Sequence, residues 1–263
     1  MPIGLITGTA TYSLPGHEDA TAQRVTTPFG DVEVARAEIA GVEVLHLARH
    51  GRGHERLSSQ VEHRANVLAL KELGAQAVVG TTVCGGLDPD APLGQLIVFD
   101  DLHFPINRLG DGSLCSLFAT PGQLGRGHWI YDRPFSEPIR QVLLAGAEAA
   151  GHEVRDGGCY GHVDGPRFNT RTEVAALRAL GVAAVSQTAG PETVLCGEAE
   201  LPYALIGFVT DYANGIAAEP TSAEDLARLL AASRSVFADV VAASLPRVAQ
   251  VAPEPTGFVY RLG

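Results

Sequence analysis

Positive charge is scarce in this chain of 263 residues: 19 lysines and arginines face 30 aspartates and glutamates, a formal net charge of -11. A surface of that sign repels nucleic-acid backbones and anionic membranes, so any phosphate must be held by a local cluster of donors. A small anionic ligand is therefore expected rather than a polymer or a membrane surface. Cysteine is sparse as well. Cys84, Cys115, Cys159 and Cys196 form no Cys-x-x-Cys pair and no short His/Cys spacing of the zinc type, so reduced, mostly buried thiols in a cytoplasmic protein are expected, with no metal site. A charged-then-apolar leader is missing, and no uninterrupted apolar run reaches the roughly 18 residues of a membrane span. Internal repeats and linkers are missing too.

What fills the chain is an alternation of short apolar strands with helical runs, which predicts a single α/β domain with a mixed central β-sheet flanked by helices. The strands end in polar, glycine-rich tips. Pro2–Ile6 leads to Thr7-Gly8-Thr9, Val42–Leu47 leads to the run from Ala48 to His54, and Gln76–Val79 leads to Thr81-Thr82-Val83-Cys84-Gly85-Gly86. Val182–Val185 and Ala204–Val209 end likewise, in Ser186-Gln187-Thr188 and Thr210-Asp211-Tyr212. Ligand sites of open α/β sheets gather at the carboxyl ends of strands. Val61, Ala65, Leu68, Ala69 and Leu73 recur at helical spacing, which puts Arg64 and Asn66 on other faces. Leu102–Pro134 reads as a long irregular excursion at a subunit boundary. A closing helix over Ala223–Val241 is followed by a loosely held tail after Ala252.

The stretch from Gly157 to Glu173 joins glycines, an aromatic and hydrogen-bonding side chains just before a helix. Gly165-Pro166 marks a turn, Phe168 offers a flat π-face, and Asn169-Thr170 stand where a helix N-cap begins. It reads as the floor of a small-molecule site, or as an ordinary loop leading into the helix Glu173–Leu180.

Together Thr7-Gly8-Thr9, Arg49-His50-Gly51, Arg64-Ala65-Asn66, Gly165-Pro166-Arg167-Phe168, Pro191-Glu192 and Val209-Thr210-Asp211-Tyr212 resemble the trimeric purine nucleoside phosphorylases, in particular the 5′-methylthioadenosine phosphorylase branch. The resemblance covers nearly the whole chain. It implies phosphorolysis, in which phosphate displaces a purine from C1′, so that inorganic phosphate is the co-substrate and no cofactor is needed. It also implies a homotrimer with sites near subunit boundaries. Carried over position by position, Thr9, Arg49, His50, Thr82, Thr188 and the amide of Val83 correspond to phosphate ligands. Taken alone, Thr9 or Thr188 reads first as a turn-capping hydroxyl. By the same likeness Asp211 is the catalytic residue at purine N7, with Phe168, Asn169 and Asn214 around the base, and Gln187, His128, Ala223, Leu226 and Ala227 around the ribose and its 5′ substituent.

Three positions depart from that branch. Gln187 stands where methionine usually meets the ribose, Ala213 where a second aspartate usually assists the first, and Asn169 where serine or threonine is usual. An aspartate at position 211 suits a 6-amino base because it accepts where the amino group donates, whereas the Asn169 amide can serve either base edge. The apolar Ala223, Leu226 and Ala227 suit an alkylthio 5′ group, because a 5′-hydroxyl there would lack a partner. 5′-Methylthioadenosine is the first expectation, with methylthioinosine or a general purine nucleoside as the alternative. A nucleoside hydrolase and a non-catalytic nucleoside binder are the rivals, and the Arg49-His50 pair argues against the hydrolase.

Overall fold

A computed structural model describes residues 1–9, 20–51 and 53–262. In chain order its first strands are β1 (Ile3–Thr7), β2 (Thr21–Thr27), β3 (Gly30–Ile39) and β4 (Val42–Ala48). A 3-10 turn at Ser58–Gln60, helix α1 (His63–Glu72) and β5 (Ala77–Gly86) follow. Then come β6 (Leu96–Val98), β7 (Asp101–His103), β8 (Gly127–Ile130), α2 (Glu137–Ala149), β9 (Val154–Asp156) and β10 (Cys159–His162). The chain closes with α3 (Arg171–Ala179), β11 (Val182–Ser186), α4 (Ala189–Glu198), β12 (Tyr203–Tyr212), α5 (Ala223–Val251) and β13 (Phe258–Arg261).

Among the described residues an 11-stranded mixed sheet runs β2-β3-β4-β1-β5-β11-β10-β7, with β12 joined to β5 and β6, and β9 joined to β6. β5 is the pivot. It pairs in parallel with β1 and β12, and its last residues, Gly85 and Gly86, pair antiparallel with β11. β1 is buried at all five positions, as expected of a central parallel strand covered on both faces. Because β1, β4, β5 and β12 run the same way, their carboxyl ends open on one edge of the sheet.

Two cores sandwich the sheet. On one face Val67 and Leu70 of α1 and Leu195 of α4 pack with Leu45, Phe99 and Tyr160; on the other, Leu143 of α2 and Phe237, Val241 and Leu245 of α5 pack with Leu5 and Ile206. Burying each such side chain contributes about 1.5–3 kcal/mol. α5 is long and apolar enough to cross a membrane by length and composition alone, yet this stripe is buried inside the fold.

Several local expectations change. Of the Asn169-Thr170 pair, Thr170 caps α3 in a reciprocal box with Glu173, and the helix spans Arg171–Ala179 instead of Glu173–Leu180. Asn66 is buried on α1 beside Ala65. α5 runs on through Pro246 to Val251 instead of stopping at Val241. The tail after Ala252 is held rather than loose: β13 pairs antiparallel with β8, and Trp129 Nε1 donates to the Thr256 carbonyl at 2.7 Å. The Leu102–Pro134 excursion thus contains a strand of a second, two-stranded sheet.

Candidate active site

The strand ends enclose a cleft of about 350 Å³. Its wall contains Thr9, Arg49, His50, Thr82, Val83 and Thr188 of the expected phosphate set, Phe168, Asn169, Asp211 and Asn214 of the base set, and Gln187 and Leu226 of the sugar set. Arg52, within the polar run after β4, lies outside the described residues.

Arg49 is 2% exposed and tied into the interior. Its Nε and Nη2 donate to the two carboxylate oxygens of Glu192 at 2.6 and 2.8 Å, and Nη1 donates to the Thr81 carbonyl at 2.7 Å. Burial works against this charge, and Glu192 outweighs it, so the guanidinium pKa rises. Among the described residues, three of its five N–H groups have acceptors. Tyr203 donates its hydroxyl to Glu192 at 3.0 Å, and it can do so because Gly80 lies beneath its ring: a Cβ at position 80 would stand 2.8 Å from Tyr203 Cζ. The sequence shows Glu192 only as part of a Pro-Glu landmark; nothing in the spacing links it to a residue 143 positions earlier.

His50 is buried beside Arg49, and burial and then that charge push its pKa down to about 4, so the ring is neutral at pH 7. Its Nδ1 lies 2.9 Å from the Arg56 carbonyl, which can only accept, so Nδ1 carries the proton and Nε2 is left as an acceptor. The Nε2 of such a ring can accept a hydrogen bond from a hydrogen-phosphate oxygen. Thr82 Oγ1 lies 3.2 Å from Ser186 Oγ, joining the β5 and β11 tips. Thr188 is the N-cap residue of α4, yet its side chain makes no capping bond, which removes the turn-capping explanation there.

In the same cleft, Asp211 accepts from Thr210 Oγ1 at 2.8 Å through Oδ1. Burial raises its pKa and the Thr210 bond holds it back in part. A carboxyl of that kind holds a proton more readily than a surface aspartate and can pass it to a departing base. Cys84 lines the same wall, but burial and then Asp211 push its thiol pKa up, so it is no nucleophile. Asn214 Nδ2 donates to the Asn169 carbonyl at 2.8 Å, fixing the loop on which Phe168 stands 68% exposed. An exposed phenyl face at a cleft mouth suits stacking on a flat heterocycle.

Three expected residues are not brought in by the chain itself. Ala223 is the exposed first residue of α5, and Ala227, exposed too, lies about 100° round the helix from Leu226. Leu226 and Leu230 form the apolar wall instead, and the i, i+4 spacing was the available signal. His128 is exposed on β8, outside its own chain's cleft. Leu57 and Ser58 join the lining without having been foreseen, and so do His54 and Ser186, which the sequence marked only as parts of strand tips.

An arginine, a neutral histidine and threonine hydroxyls in one cleft with an exposed phenyl face, at the carboxyl edge of a mixed sheet, suit an α/β enzyme that works on a phosphate and a heterocycle. The comparisons agree. The model of the phosphorylase superfamily matches residues 2–246, and the chain belongs to that family. The 6-oxopurine nucleoside phosphorylase of Pyrococcus furiosus is 29% identical, over 94% of this chain and 92% of its own length. The S-methyl-5′-thioadenosine phosphorylase of Chloroflexus aurantiacus is 36% identical, over 80% and 72%. A methylthioadenosine phosphorylase from Schistosoma mansoni, solved with adenine, superposes with a TM-score of 0.86 at 26% identity, covering 95% of this chain and 92% of that one. The reaction class is pentosyl transfer from a purine nucleoside to phosphate.

Proposed function

We propose that the enzyme cleaves a purine nucleoside carrying an apolar 5′ substituent, with 5′-methylthioadenosine as the leading substrate, adenine and 5-methylthioribose 1-phosphate as the products, and no cofactor. The observation that carries this is the 5′ wall: α5 contributes Leu226 and Leu230 to the cleft and no polar side chain. Burying a methyl-sized group there contributes about 0.8 kcal/mol, and stranding a hydroxyl costs about 1–3 kcal/mol, which together favour the thioether by roughly tenfold or more.

In the mechanism this supports, Arg49, His50, Thr82, Thr188 and the Val83 amide hold phosphate next to C1′. Phe168 stacks on the purine, and Asp211 delivers a proton to N7 as the C1′–N9 bond opens. The base anion is thereby neutralised as it leaves. A second reading concerns the base alone. Ala213 supplies no second carboxylate, and the Asn169 amide can bond an oxo group, features that favour a 6-oxopurine such as that of methylthioinosine.

Specificity constants for methylthioadenosine, methylthioinosine, adenosine and inosine test both halves. Thioethers should exceed their hydroxyl counterparts, and inosine outrunning methylthioinosine defeats the 5′ assignment. Methylthioinosine outrunning methylthioadenosine transfers the base assignment to the second reading.

A homotrimer completes the proposal. His128, Ile130, Phe258 and Tyr260 are exposed together on the β8–β13 sheet, an apolar face suited to a second copy of the chain, with His128 directed to a neighbour's cleft. Sedimentation should give a trimer, and a fully active monomer contradicts that part. Four free thiols accord with a cytoplasmic setting.

A further inference from the structure

Gln187 follows β11 at the point where the family resemblance puts a methionine against the sugar, and here its amide has two partners. Ser58 Oγ donates to Gln187 Oε1 at 2.7 Å, and Gln187 Nε2 donates to the Arg167 carbonyl at 3.1 Å. A carbonyl only accepts, so the nitrogen must face Arg167 and the orientation of the amide is settled by that partner. Methionine can make neither bond.

The two partners come from different loops of the same cleft. Ser58 opens the turn that follows the Arg49-His50 segment, whereas Arg167 directly precedes Phe168; Ser58, Pro166, Phe168 and Gln187 all line the cavity. Gly165 supplies an independent sign that the two loops are held at this bond. A Cβ built on it would collide with both Gln187 Oε1 and Ser58 Oγ, so the backbone of the Phe168 loop is packed against the hydrogen bond itself.

We propose that Gln187 is a positioning residue: its amide latches the Ser58 turn to the Phe168 loop and so sets the distance between the phosphate side and the base side of the cleft. This rests on the nucleoside reading of the site given above. Gln187 acts on the sugar through the width of the cleft, which the bonds at both ends of its amide set. Neither Asp211 nor Arg49 takes part in the latch, so its loss is felt in nucleoside binding more than in the chemical step.

The test compares Ser58→Ala, Gln187→Met and the double variant at saturating phosphate. Each single change should raise the nucleoside KM about tenfold, with a much smaller effect on kcat, and the double variant should cost no more than either single one, because one latch is broken in all three. Hydrogen exchange of the amides between residues 165 and 170 should speed up in both single variants. If Ser58→Ala leaves nucleoside KM at the wild-type value while Gln187→Met raises it, Gln187 acts on the sugar directly and the latch is wrong. Exchange in that loop at the wild-type rate in both variants overturns it as well. Wild-type protein that cleaves no purine nucleoside would sink the functional reading instead, and the exchange comparison would still decide the latch.

Discussion

Replacing Glu192 with glutamine removes the counter-charge of Arg49 while nearly keeping the shape of the side chain. In the wild-type fold both groups are sealed from water, with Glu192 0% and Arg49 2% exposed, and the pair is bidentate at 2.6 and 2.8 Å. Breaking a buried pair by neutralising one partner costs about 3–5 kcal/mol, because the other charge is left without compensation. At about 2–4 °C per kcal/mol for a chain near this size, melting should fall by roughly 6–20 °C. The same substitution should make the variant unusually dependent on phosphate. In the wild type Glu192 already answers the arginine charge, whereas in Glu192→Gln a bound phosphate becomes the anion nearest to it. Thermal melts followed by circular dichroism, in phosphate and in chloride of equal ionic strength, should therefore show a larger phosphate-induced rise for the variant than for the wild type. A variant that melts within 2 °C of the wild type, or gains no more from phosphate, refutes the claim that this pair ties fold stability to the anion subsite.

Asp211→Asn should separate activity from stability in the opposite sense. The folded state raises the Asp211 pKa by burial, so the stability attributable to this group is full below its unfolded value and is lost as pH rises through its raised folded value. The asparagine variant should melt no lower than the wild type at pH 7.5 while kcat falls by about 100-fold or more, the usual range for a lost general acid; a variant that keeps full kcat removes Asp211 from proton transfer. Acid sensitivity should come early. Burial holds His63 and His162 near about 3 and His50 near about 4, each below its unfolded value, so the stability they confer is intact above about pH 6.5 and is lost as pH falls toward 4. Each contributes about 1.4 kcal/mol per pH unit in that window, so the urea midpoint should drop clearly between pH 6.5 and 5, before most carboxylates titrate; a flat midpoint contradicts it.

The lining of the cleft was legible where polar residues sit at the end of an apolar strand. Thr9, Arg49, His50, Thr82, Thr188 and Asp211 each sit at the end of a hydrophobic run; parallel pairing brings the ends of β1, β4, β5 and β12 to one edge, and the short antiparallel contact of β11 with the tip of β5 adds Thr188 to the same cleft. Contacts that depend on loop approach left no mark in the pattern. Ser58 reaches Gln187 across 129 positions, and Glu192 reaches Arg49 across 143, with no periodicity to connect them. The helical wall was half legible: Leu226 was recognised, but Ala223 and Ala227 were chosen by proximity in sequence where the 3.6-residue repeat selects Leu230. β2 was missed because only Val25 and Thr27 of its seven residues are buried, which leaves an edge strand with little alternation to read. β13 was missed because its partner, β8, lies in a stretch rich in glycine and turns.

The most direct test of the account follows the sugar product of methylthioadenosine or methylthioinosine cleavage in buffers with and without inorganic phosphate. With Arg49, His50, Thr82 and Thr188 in the cleft as the proposed phosphate set, cleavage should require phosphate and yield the pentose 1-phosphate in equal amount to the free base. Cleavage at the same rate in phosphate-free buffer, with release of the free sugar, would contradict the assignment of that set to phosphate.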